Sequence, residues 1–323
     1  MIDIPFILNF LLICAKAAIL LGFLSLSVMF LIWWERKVSA HIQSRLGPMI
    51  VGWHGCFQTI ADTIKLLLKE NIVCKEADKI TFWLAPLVVF VASFLPFVAI
   101  PFGKNLIARD LNLGLLYIFA VSSLGIIGIF MAGWGSGNKY SLLGGMRTAA
   151  QIISYEIPLV LSILSIVMIT GTLSMVKIIE AQRGMWFIVY QPVAFLTYFI
   201  SAVAEVNRAP FDIAEAESEL VAGFHTEYSG MKFAMFFLAE YTNMFVVSAI
   251  AATLFLGGWQ GPLLPGVVWF LLKVYFLIFV MMWVRWTFPR LRVDQLMHFA
   301  WKFLLPVAFL NILVTALVMV LKQ

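Results

Sequence analysis

The chain has 323 residues, of which 63% are hydrophobic and 12% charged, with a net charge of +5 and a mean hydropathy of +0.99. That composition excludes a soluble globular domain. The basic balance suits an anionic membrane leaflet better than a nucleic acid, so no nucleic-acid partner is expected.

Eight stretches are apolar over about the 20 residues that a membrane-crossing helix needs: 4–34, 80–101, 112–133, 148–171, 190–205, 232–256, 266–285 and 300–321. They are continuous and lack period-two alternation, which excludes barrel strands. The first is long enough to tilt or to run past the bilayer, and the fifth is short. The opening MIDIPFILNF has no basic n-region and no small-residue cleavage site, so it reads as a retained helix. The odd-numbered links between spans carry 15 of the 22 Lys and Arg, and the even-numbered links carry four. Cytoplasmic loops collect these residues, so the odd links are predicted to be cytoplasmic. The expected fold is an all-α polytopic membrane protein, a single membrane domain over 1–323. Its cytoplasmic links are expected at 35–79, 205–231 and 285–300.

Trp33 and Trp34 mark a membrane interface at the end of the first span. ERKVSAHIQSRLGP follows, and Gly47-Pro48 forces a turn. In the stretch 52–70, Phe57, Ile60, Ile64, Leu67 and Leu68 recur at helical spacing, while Gln58, Asp62, Lys65 and Lys69 fall on the other side. This predicts an amphipathic helix lying on the cytoplasmic surface. A solvated polar face is the plain reading of Asp62 and Lys65.

The third link, with its start of span four, reads MAGWGSGNKYSLLGGMRTAAQIISYE. Its glycines do not form GxGxxG and follow no strand, which excludes a dinucleotide fingerprint. They suit close helix packing and a tight turn. Arg147 sits at the mouth of span four, and Glu156 lies about two turns deeper beside Pro158. An ionisable group at that depth is costly and marks function by default; a helix–helix hydrogen bond is the alternative. Glu240 and Lys273 are further charges inside spans, whereas Lys16 suits a snorkelling role.

The fifth link concentrates acid. Glu205, Asp212, Glu215, Glu217, Glu219 and Glu227 are six of the 17 carboxylates in the chain. Were 212–220 helical, Asp212, Glu215 and Glu219 would share one face and repel. A solvated acidic face is the ordinary explanation of such a cluster. The apolar neighbours Phe211, Ile213, Leu220 and Val221 instead suggest a segment packed against protein, where clustered acids share protons. The seventh link offers Arg285, Arg290, Arg292 and Asp294 as counter-charges. The three Cys and four His lack disulfide or metal-ligand spacing, and no metal is expected.

Four segments carry a resemblance: ERKVSAHIQSRLGP, GWGSGNKYSLLGGMRTAAQIISYE, AEVNRAPFDIAEAESELVAGFHTEYSG and RWTFPRLRVDQLM. Together they resemble the H subunit (subunit 1 in mitochondria) of the proton-pumping NADH:quinone oxidoreductase, respiratory complex I. The resemblance runs through essentially the whole chain. It implies a membrane anchor that binds no cofactor alone. It would line a quinone chamber next to peripheral-arm subunits, adjoin other membrane-arm subunits and pass a signal to them. FMN and iron–sulfur clusters would belong to partner subunits, with quinone as the substrate. Residue by residue, the resemblance places Arg36, Arg45, Asp62, Lys65 and Phe224 at the quinone chamber and its entrance. It places Glu156, Glu205, Asp212, Glu215, Glu217, Glu219, Glu227 and Glu240 in proton coupling, with Arg147, Arg208, Arg285 and Arg292 as counter-charges. The expected location is a bacterial inner membrane, with a mitochondrial inner or thylakoid membrane as the alternative. Related anchors of energy-converting hydrogenases, or of ferredoxin- or deazaflavin-dependent dehydrogenases, remain open, as does a purely structural anchor. An independent ion transporter would predict inverted repeats, and no half-to-half similarity is seen.

Overall fold

A computed structural model describes residues 4–213 and 217–322, and all regular structure among them is helical. The chain forms two compact units, Met1–Leu68 and Lys69–Gln323. The first contains α1 (Ile4–Ile42) and α2 (Gln58–Leu68). The second contains α3 (Lys79–Phe94), α4 (Gly114–Ser122), α5 (Leu124–Gly135), α6 (Lys139–Thr170), α7 (Met175–Ala181), α8 (Phe187–Tyr190) and α9 (Pro192–Glu205). It continues with α10 (Glu217–Leu220), α11 (Gly230–Phe255), α12 (Gly266–Thr287), α13 (Val293–Phe299) and α14 (Leu305–Lys322).

Among the described residues, seven stretches of helix are long and apolar enough to cross a membrane. α4 and α5 together make one of them, and α13 and α14 another, joined by a π-helical turn at Ala300–Leu304. The predicted fifth span is α9, whose 14 residues reach only about 21 Å. That is less than the roughly 30 Å of hydrocarbon in a bilayer. α1 has 39 residues, about 58 Å, and continues past its predicted end because ERKVSAHI contains no helix breaker. The amphipathic surface helix appears as α2, with Ile60, Ile64, Leu67 and Leu68 exposed along its apolar side.

α11 is the centre of the second unit. Every residue from Met244 to Phe255 is buried, as expected for a helix that is apolar all round. α3, α9 and α12 pack on it, and α6 packs on α5, α9 and α14. α3 and α5 approach closely because Gly128 carries no side chain: a Cβ there would meet the Val89 side chain at 2.5 Å. Asn138 begins α6, its Oδ1 accepting the Tyr140 N–H at 2.9 Å, and Gly171 ends it in the left-handed conformation.

The end of α11 remote from the acidic link is closed by Lys273 of α12. Its Nζ donates to the carbonyls of Leu256 (2.6 Å), Gly258 (2.9 Å) and Gln260 (2.7 Å). The Trp186 ring lies 4.5 Å from the same atom. The side chain is buried, and the cation replaces the hydrogen bonds that the helix terminus and its turn leave unmade. A charge that looks like a mechanistic group in the sequence is therefore a cap on three carbonyls. Lys273→Met is expected to strand those carbonyls and to cost about 3 kcal/mol or more. A lowered melting temperature in detergent, with Lys273→Arg losing less, is the outcome to look for.

Candidate functional site

The odd links of the second unit converge. α9 ends at Glu205, and the chain turns at 206–213, with the Phe211 N–H donating to the Arg208 carbonyl at 2.9 Å. Gln151 of α6 fixes this turn, its Nε2 donating to the carbonyls of Ala204 (2.7 Å) and Phe211 (2.6 Å). Leu291 of the seventh link donates its N–H to the Pro210 carbonyl at 3.1 Å. Asp212 and Ile213 are not helical, and among the described residues of 212–220 the helix is α10, Glu217–Leu220. Asp212 lies in the turn, half-buried. Glu215 lies outside the described residues, and Glu217 is the first residue of α10.

Beyond α10 the chain passes hard against α6. A Cβ on Gly144 would meet Cα and C of Gly223 at 2.8 Å, so backbone touches backbone there. The Ser141 hydroxyl donates to the Phe224 carbonyl at 2.8 Å. Glu219 is exposed and pairs with Arg147 at 2.6 Å. The Arg147 hydrogen bond holds the Glu219 carboxyl below its ordinary range, and the charges of Arg147 and Arg290 act in the same direction. Glu227 also stays low, because the Cys74 thiol (2.8 Å) and the Asn138 amide (2.6 Å) donate to its two oxygens.

A cavity of about 80 Å³ lies beneath this link. Its wall includes Glu205, Asn207, His225, Glu240 and Asn243 among apolar residues such as Ile126, Phe237 and Ile250. Glu205 Oε2 and Asn207 Oδ1 are buried without a hydrogen-bond partner among the described residues. A polar wall and this volume are enough for a few waters, since one needs about 10–15 Å³ on this scale. Glu240 pairs with the buried Arg208 at 2.8 Å, and the Arg208 guanidinium lies 4.4 Å from the centre of the Tyr241 ring. Glu156 of α6 is half-buried and within electrostatic reach of Glu205. The structure thus brings Glu156, Glu205, Arg208 and Glu240 together, with Arg147 and Glu219 paired nearer the surface.

Phe224 belongs to the same wall, edge-on to Phe236 with ring centres 5.4 Å apart. In the first unit, Arg36 and Asp62 form an ion pair at 2.6 Å. Gln58 Nε2 donates to the other Asp62 oxygen at 3.1 Å. The side chains of Arg45 and Lys65 are exposed. Arg285 is half-buried at the end of α12, and Arg292 is exposed at the start of α13.

Sequence reasoning missed Cys74, Asn138, Gln151, Asn207 and His225. A single amide or thiol in an apolar chain gives no periodic signal. Cys74, Asn138 and Gln151 act through contacts across 53 to 153 residues of chain. Among the described residues, no three His, Cys, Asp or Glu side chains gather as a metal site.

The family model described as NADH dehydrogenase matches residues 15–316. The chain is 59% identical over 298 residues to the NADH-quinone oxidoreductase H subunit of Dehalococcoides mccartyi strain CBDB1, covering 92% of this chain and 84% of that one. It is 49% identical over 316 residues to the H subunit of the same oxidoreductase in Carboxydothermus hydrogenoformans, covering 97% and 90% of the two chains. An H subunit from Geobacter sulfurreducens is also 49% identical, over 331 residues and 96% and 95% of the chains. The chain belongs to the family of NADH-quinone oxidoreductase H subunits. Members of this family are parts of an oxidoreductase complex, and this chain is one component of such an assembly rather than an enzyme by itself.

His225 supplies a pH test of the site. Burial beside Phe224 and Phe233 pushes its imidazole from 6.5 down to about 4. Between those values the His225 ring binds fewer protons in the folded state than in the unfolded chain. The stability from the neutral ring is fully present above pH 6.5 and falls as the pH drops toward 4. The low carboxylates Glu219 and Glu227 act only below their ordinary value of 4.5. Between pH 6.5 and 4.5 the unsubstituted chain is therefore expected to lose more melting temperature, or gain less, than His225→Phe, and the difference between the two curves is the readout.

Proposed function

We propose that this chain is the membrane anchor of a proton-pumping NADH:quinone oxidoreductase in a bacterial inner membrane. In this reading it contacts quinone and couples quinone reduction to proton movement. The odd links face the cytoplasm and meet the peripheral-arm subunits, which hold FMN and the iron–sulfur clusters. Arg36, Arg45, Asp62 and Lys65 take the quinone role in the first unit, and Phe224 takes it in the second. Glu156, Glu205 and Glu240 form the buried coupling group, and Asp212, Glu215, Glu217 and Glu219 form the charged segment above it. Arg147, Arg208, Arg285 and Arg292 balance these acids.

The observation that supports this reading best is the cavity. Two carboxylates, Glu205 and Glu240, line one small polar chamber inside an apolar bundle, and one of them is already paired with Arg208. Reducing a quinone to quinol takes up two electrons and two protons. Negative charge arriving near such a chamber is poorly screened, and its Coulomb effect is several-fold larger than in water. It shifts how protons are shared among the acids. It also weakens or strengthens Arg208–Glu240 relative to its alternatives. Protons leaving the cavity toward neighbouring membrane-arm subunits would complete the coupling.

The test uses the intact complex purified in mild detergent and rebuilt into vesicles. NADH-driven quinone reduction, blocked by a quinone-site inhibitor, is the expected activity. Glu240→Gln and Glu205→Gln are each expected to cut protons pumped per NADH to less than half while electron transfer continues more slowly. Arg36→Ala and Asp62→Asn are expected to raise the quinone KM more than they lower kcat. An assembly that takes electrons only from ferredoxin, or evolves hydrogen, would sink the quinone role. A chain that comes out alone and still moves ions would point to a transporter.

A further inference from the structure

Glu227 differs from Glu205 of the same link in that it does not line the cavity. Both of its oxygens already accept a hydrogen bond, one from Cys74 and one from Asn138. Those two donors belong to two other links: Cys74 to the first, and Asn138 to the third. One carboxylate therefore joins three of the four odd links.

The next two residues reinforce the joint. The Tyr228 ring stacks on Phe82 with centres 4.2 Å apart and planes 5° from parallel. The Ser229 hydroxyl donates to the Glu70 carbonyl at 3.2 Å and accepts the Ile72 N–H at 3.2 Å. The first link is in turn fixed to the third: the Asp78 N–H donates to the Gly135 carbonyl at 3.0 Å. Gly137 lies so close that a Cβ there would meet the Glu76 carbonyl oxygen at 2.7 Å. Val73 and Cys74 pack on the apolar cluster formed by Ala77, Phe82, Tyr228 and Phe236.

We propose that Glu227, which the resemblance groups with the proton-coupling acids, is instead a positioning residue, a carboxylate clamp that fastens the first and third links to the far end of the acidic link, and that it carries no protons. A proton carrier must lose and regain its proton near ambient pH. A carboxylate that accepts two side-chain donors is held in its charged form. The Cys74 thiol, as donor, is pushed the other way, above its ordinary value, chiefly by that hydrogen bond. The pair therefore keeps its protons where they are. The joint at 227–229 gives the acids from Glu205 to Glu219 a fixed end to work against. That last consequence rests on the coupling role proposed above, whereas the clamp itself does not.

The test is a substitution series in the intact complex. Cys74→Ala removes one donor. Asn138→Ser removes the other while keeping a residue that caps α6. Each is expected to lower the melting temperature of the solubilised complex by about 2–4 °C. Cys74→Ser, which restores an O–H donor, is expected to recover most of that loss. Combining Cys74→Ala with Glu227→Gln is expected to add little to Glu227→Gln alone, because the groups act as one unit. Every assembled variant is expected to pump the unsubstituted number of protons per NADH. A lower proton ratio in assembled Glu227→Gln would overturn the clamp and make Glu227 a carrier. Unchanged melting temperatures in Cys74→Ala and Asn138→Ser would overturn it as well, even if Glu227→Gln did not assemble. If the unsubstituted complex neither reduces quinone nor pumps, the function proposed above fails, while the melting series still decides the clamp.

Discussion

A charge inside an apolar bundle must be paired, solvated or neutral, and the placement of almost every functional group here follows from that constraint. Arg208 is buried and meets Glu240 at 2.8 Å, with the Tyr241 ring against its guanidinium. Removing either partner would take away a compensating charge from the other in a medium that screens charge poorly. The pair fixes the turn after α9 against the middle of α11, and the polar cavity opens beside it. Lys273 obeys the same rule at the other end of α11, where carbonyls replace a carboxylate. The two ends differ in what satisfies the cation. Carbonyls have no protonation state to change, whereas a carboxylate has one.

The same contrast separates the acids. Glu219 is exposed and bonded to Arg147 at the surface, where an ion pair contributes little to stability and breaks easily. Glu240 is paired within the bundle, and Glu205 has an oxygen with no hydrogen-bond partner among the described residues. Glu227 is saturated by a thiol and an amide. One short link and the helix beside it thus hold carboxylates in four electrostatic situations. Composition alone makes them look equivalent.

The fold was largely legible in the sequence because hydrophobic length is a strong, local signal. Seven of the eight predicted spans correspond to helices long enough to cross a membrane, and the shortest predicted one is the 14-residue α9, which is not. Residue type also marked Glu156 and Glu240 as unusual, since acids seldom occur within spans, whereas Glu205 stood out only as one of the clustered acids of the fifth link. The path of the acidic link was not legible. Asp212 follows a turn in which the Pro210 carbonyl accepts from Leu291 and the Phe211 carbonyl from Gln151. Those partners lie far away along the chain, and no local pattern reports them. The role of Lys273 was hidden for the same reason, because its three acceptors are backbone atoms without any residue-type signature.

Gly144 and Gly223 meet with no side chain between them. Their closeness makes two positions 79 residues apart a single site for the purpose of descent. A methyl group added at Gly144 would push the acidic link off α6. No change at the opposite glycine can compensate, since neither has an atom to give up. Sequences that keep this loop path are therefore restricted to glycine at 144 by space and favour it at 223 by the left-handed backbone there, two constraints independent of any charge the loop carries.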